Sequence, residues 1–106
     1  MNLNEFIEEV EKRLQNEKED IIRKLYGING IEQRLSILGD FHQLHKRIIR
    51  DIAKEKDLDL NQRLKLEENP MIIDSSLSLE NIVFTKTSGM FARLGQEILE
   101  EIKRIN

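Results

Sequence analysis

Cysteine and tryptophan are absent from this 106-residue chain. Without cysteine there is no disulfide scaffold, no thiolate metal site and no thiol nucleophile. Proline occurs once and glycine five times, too few breaking residues for a turn-rich β fold. No apolar run exceeds three residues, Met71-Ile72-Ile73 being one of them. No segment is therefore apolar for long enough to span a bilayer as a helix. Neither sign of charge dominates: 17 Lys+Arg face 20 Asp+Glu, a net charge of −3, and no stretch forms an acidic or basic tail. Aromatic residues make up only 5%, which leaves few rings to interleave with basic side chains in the manner of a nucleic-acid groove. The opening Met1-Asn2-Leu3-Asn4-Glu5 has neither the basic stretch nor the apolar run of a signal peptide. The expected location is the cytoplasm, and the length fits one domain spanning 1–106.

What the chain does contain is material for helices. Leu, Ile, Val and Phe supply about a third of the residues, well above a disordered composition. Glu, Lys, Leu and Arg, all strong helix formers, are abundant. Leu3, Phe6, Ile7, Val10, Leu14, Ile21, Ile22 and Leu25 recur at helical spacing, which predicts a first helix from about Leu3 to Tyr26. Asn2 stands at its N-cap with Glu5 three residues on, the pattern of a capping box. Asn29 with Glu32 repeats that pattern and predicts a second helix running to about Asp57. Its apolar stripe covers nearly half the circumference, so this helix is expected to be central and packed on two sides. At roughly 40 Å it is too long for a sphere of this chain length.

Asp59 with Gln62 predicts a short helix over Leu60–Glu68, ended by Asn69-Pro70. Met71–Ile73 and Ile82–Thr85 have strand-like content, which allows a small β-hairpin within 71–86. A last helix is predicted from about Ser88 to Ile105. The expected fold is all-α: an elongated antiparallel bundle of three to four helices with a coiled-coil-like seam.

Four groups of residues are candidates for function. Phe41, Leu44 and Ile48 widen the central stripe beyond what a lone domain readily covers, which marks them as an interaction surface. His42 and His45 project from neighbouring turns, and Glu17 is the one carboxylate on the facing stripe, so the three form a candidate metal set. The plainer alternative is a structural polar cluster. Thr85-Lys86-Thr87-Ser88-Gly89 precedes the last predicted helix, where free N–H groups, hydroxyls and a Lys suit an anion. The plainer alternative is ordinary capping. Lys46, Arg47, Arg50 and Lys54 make a basic ridge of the kind that meets phosphates. Asp51 is interleaved there, and Arg47–Asp51 and Asp51–Lys54 ion pairs are the plainer expectation.

No Gly-x-Ser-x-Gly elbow, Walker loop or dinucleotide fingerprint is present. These patterns predict a non-catalytic helical interaction or regulatory module without a cofactor. Its expected partner is a protein, either a second copy in a homodimer or a subunit of a larger complex. A small anionic-ligand protein (phosphate or nucleotide) and a nucleic-acid-associated regulator are the alternatives.

Overall fold

The computed structural model describes residues 1–65 and 76–105. Three long helices and one short hairpin follow in the order α1 (Leu3–Leu25), α2 (Ile31–Glu55), β1 (Arg63–Lys65), β2 (Ser76–Ser78) and α3 (Leu79–Ile105). The all-α bundle expected from composition is the observed architecture.

α1 starts where its cap dictates. Asn2 Oδ1 accepts the Glu5 N–H at 2.8 Å, and Glu5 Oε1 accepts the Asn2 N–H at 3.3 Å. This reciprocal pair satisfies two N–H groups at the start of the helix. The start of α2 departs from expectation. Its N-cap is Gly30, at φ +98°, with no side-chain cap. Asn29 lies one residue too early, because the chain turns through a left-handed conformation that only glycine adopts without strain. α2 ends two residues sooner than predicted, in a Schellman turn. Asp57 sits at φ +53°, and the Leu58 N–H reaches back to the Ala53 carbonyl at 2.8 Å.

The Asp59–Gln62 pattern caps a turn rather than a helix. Asp59 Oδ1 accepts the Asn61 N–H at 2.9 Å, and the Asp59 carbonyl accepts the Gln62 N–H at 3.2 Å. Leu58, Leu60 and Leu64 all pack against the core from this segment. The chain then extends as β1 and pairs antiparallel with β2, with Leu64 opposite Leu77. The expected helix over Leu60–Glu68 is thus replaced through Lys65. Its last residues, together with Asn69-Pro70 and Met71–Ile73, lie outside the described residues. One strand falls inside the 71–86 window, and its partner lies upstream of it.

The largest correction concerns α3, which begins at Leu79 rather than Ser88. Ser78 Oγ accepts the Asn81 N–H at 3.1 Å, a serine N-cap. The Leu79 and Glu80 N–H groups donate to the carbonyls of Gln62 and Leu60 at 2.9 and 3.1 Å. The turn before the hairpin therefore supplies acceptors for the first donors of α3. Ile82, Val83 and Phe84 are helical despite their strand propensity, because Leu79, Ile82 and Val83 become buried there.

All three helices pack on one another. Val10 and Leu14 from α1, Ile49 and Ile52 from α2, and Leu94 and Ile98 from α3 are fully buried. The extents are 51 × 30 × 18 Å, with a radius of gyration of 16.4 Å. A compact chain of this length is expected near ~13 Å, so the bundle is elongated and accommodates α2 along its axis. The width of the α2 stripe is also accounted for within one chain. Phe41 is 0% exposed, Ile48 is 7% exposed, and Leu44 is half-buried against the core. Of the expected interaction surface, Phe41 and Ile48 are therefore core, and Leu44 is half-buried at its edge. On the α3 side Phe41 stacks on Phe91, while the added turns of α3 bring Phe84 and Thr87 against His45.

Candidate ligand cleft

Those added turns also build the most distinctive polar arrangement in the molecule. His45 is 1% exposed. Its ring lies between Phe84 and Phe91, with centroids 4.4 and 4.5 Å away. Phe91 in turn stacks on Phe41 at 5.0 Å. His45 Nε2 stands 2.6 Å from Thr87 Oγ1. The single Thr87 hydroxyl proton is committed to main-chain acceptors, the Val83 carbonyl at 2.8 Å and the Phe84 carbonyl at 3.3 Å. Nε2 must therefore carry the proton and donate to Thr87 Oγ1. This fixes the neutral tautomer and leaves Nδ1 as a lone-pair acceptor.

Nδ1 is buried and has no hydrogen-bond partner. An unmet buried acceptor costs about 1–3 kcal/mol. Burial pushes the His45 pKa below the usual histidine value, and the nearby Lys46 charge pushes it further the same way. The imidazole is therefore held neutral.

Above this ring an open cleft of about 530 Å³ separates α2 from α3. Phe84, Phe91 and His45 lie on its floor side. Lys46, Arg47, Arg50, Asp51 and His42 come from exposed positions of α2. The Lys46 ammonium sits 5.5 Å above the Phe84 ring. Three cations thus meet one carboxylate around a half-buried aromatic surface. The expected Arg47–Asp51 and Asp51–Lys54 ion pairs do not form among the described residues. Arg50 instead approaches Glu80 at 3.5 Å.

The candidate sites fare differently in this arrangement. Lys46, Arg47 and Arg50 share the cleft, whereas Lys54 lies outside it. His42 and His45 line the same cleft, but Glu17 lines a second one of about 350 Å³ between α1 and α2. The carboxylate and the imidazoles therefore open onto different clefts. No three His, Asp or Glu groups gather to hold a metal among the described residues. Thr85–Gly89 is interior to α3, so it has no free helix-start N–H groups. Thr87 is buried under His45, and the Ser88 hydroxyl donates to the Phe84 carbonyl at 2.6 Å. Thr85, Lys86, Thr87, Ser88 and Gly89 therefore form a stretch of helix and not an anion loop.

Sequence reasoning missed Phe84 and Phe91 as cleft residues. They are seven apart with Thr87 between them, a spacing that shares one helical face. That signal appears only once the last helix is started at Ser78. No family model matches the chain, and neither the curated proteins nor the solved structures contain a match.

Proposed function

We propose that this chain is a small helical binding module of regulatory type, without chemistry of its own. Its working surface is the α2–α3 cleft, and its occupant presents an anionic group beside an apolar or ring-shaped one. The observation that carries this reading is the combination of Lys46, Arg47 and Arg50 with the Phe84–Phe91 floor. Apolar lining with a few convergent polar groups is the common character of ligand sites, and the cleft's volume lies in their range. Guanidinium groups pair bidentately with carboxylate, sulfonate or phosphate oxygens.

Naphthalene-2-sulfonate, an anion on a flat ring, is a suitable calorimetric probe. It is expected to bind saturably and more weakly as salt rises. Lys46→Glu combined with Arg47→Glu is expected to weaken it at least tenfold without changing the melting temperature. The neutral analogue 2-naphthalenemethanol should bind worse than the sulfonate and respond little to the charge reversal. Equal binding of the sulfonate by wild type and variant would overturn the reading.

A second copy of the chain is the second reading, and it moves to a new surface. Tyr26, Ile31 and Leu35 are 61%, 50% and 43% exposed. Ile31 and Leu35 lie one turn apart at the start of α2. A two-fold contact there would bury both stripes at once. Sedimentation velocity across a concentration series tests it. The expected result is a dimer that Ile31→Lys with Leu35→Lys returns to monomer. A monomer at every concentration would exclude this contact.

A further inference from the structure

Resting on the cleft reading above, we infer that anion binding in the α2–α3 cleft is linked to a proton on His45, so that the module binds its anionic occupant more tightly as pH falls.

The argument is geometric. His45 lines the cleft, yet its ring is enclosed by Phe84, Phe91 and Thr87. Nε2–H is already committed to Thr87, so an added proton has one place to go, which is Nδ1. That atom has no acceptor in the free chain. A cationic imidazolium there is opposed by its surroundings. From α2 the charged or titratable groups around the cleft are Lys46, Arg47, Arg50, Asp51 and His42. From α3 the charged group that joins them is Glu80, through Arg50, and the α3 residues touching the ring are neutral.

Burial and, after it, the Lys46 charge thus hold His45 neutral, with Glu80 engaged at Arg50. An anion seated among Lys46, Arg47 and Arg50 offsets the Lys46 charge and supplies the missing countercharge. The imidazolium then becomes acceptable, and binding draws in a proton. Linkage requires the converse: a protonated His45 raises the affinity for the anion by the same factor.

The sulfonate of naphthalene-2-sulfonate does not titrate near neutrality, so any pH effect on its binding belongs to the protein. Calorimetry at pH 8 and pH 6 is expected to show at least threefold tighter binding at pH 6. Repeating it in buffers of different ionisation enthalpy is expected to show proton uptake. The His45→Phe variant keeps the aromatic stack and removes Nδ1, so it should bind with no pH dependence, whereas His42→Gln should retain the dependence. Where His45→Phe does not fold, the wild-type His45 ring resonance followed by NMR serves instead, and its titration midpoint should rise when the probe is bound.

Charge-dependent binding with equal affinity at both pH values, or an unmoved His45 midpoint, would overturn this inference and leave the cleft reading standing. A pH dependence that survives His45→Phe and disappears in His42→Gln would assign the proton to His42 and overturn it as well. Absence of binding at either pH would remove the cleft reading and this inference together.

Discussion

Phe41→Ala is expected to destabilise the protein by about 3–5 kcal/mol, the range for deleting a buried aromatic side chain. Phe41 is 0% exposed and stacks on Phe91, which itself leans on the His45 ring. Removing it opens a cavity where α2 meets α3 and leaves Phe91 without its neighbour. Domains of this size are stable by only about 5–15 kcal/mol, so about a fifth or more of the total is lost. With a denaturant slope near 2 kcal/mol per molar, the urea midpoint should fall by about 2 M with the slope unchanged. Circular dichroism in a urea series measures this directly. The surface reading of Phe41 predicts the opposite pattern, a change within about 0.5 kcal/mol and altered association. A shift under about 1 kcal/mol would therefore show that α3 does not cover this flank.

The second large effect is a loss of stability on mild acidification. Burial and the Lys46 charge lower the folded-state pKa of His45 beneath its unfolded value of about 6.5. A histidine shifted downward binds more protons unfolded than folded. Its stabilising contribution is full above the unfolded pKa and is lost as pH falls below it toward the folded value. Within that window one group changes stability by up to about 1.4 kcal/mol per pH unit.

The ion-paired carboxylates act elsewhere. Glu55 is held low by Arg13, and Glu101 by Arg104 and the Tyr26 hydroxyl. Their contributions are lost only in more acid solution, below the ordinary carboxylate range. Urea midpoints at pH 8 and pH 5.5 should therefore differ in the wild type and nearly coincide in His45→Phe. Removing the unmet Nδ1 should also leave that variant at least as stable as the wild type at pH 5.5. Equal midpoints in the wild type would show that His45 is not held neutral by its surroundings.

Much of the fold follows from local signals. The Asn2–Glu5 box places the start of α1. The apolar spacing of α2 indicates a helix packed on two sides, and its length indicates an elongated bundle. Such signals are legible because they reside in neighbours three and four apart, which meet on one helix face whatever else the chain does. Other segments carry weaker information. Leu60–Lys65 has helical composition yet ends as a turn and a strand. Ile82–Thr85 has strand composition yet lies inside a helix. Intrinsic preferences differ by less than about 1 kcal/mol per residue. Burying Leu64 or Ile82 is worth more than that, so packing decides.

The candidate site divides in the same way. The placement of His45 on an apolar face, and of Lys46 and Arg50 on a neighbouring ridge, is settled by the sequence of α2 alone. The hydroxyl that fixes the imidazole tautomer is 42 residues away. So is the phenylalanine floor tied to a distant element, since both rings come from α3. Their alignment with His45 depends on where α3 begins, and that is set by Ser78 and by the carbonyls of Leu60 and Gln62. Periodicity and composition are enough for the amphipathic helices, a net charge near zero and a basic stripe. The start of α3 nine residues earlier, and the burial of Phe41 and Ile48 as core rather than surface, depend on packing between the helices. The same added turns seal His45 beneath a cleft. A helix's own face is written in its periodicity, whereas its register against another helix is fixed by the caps and burial at its far end.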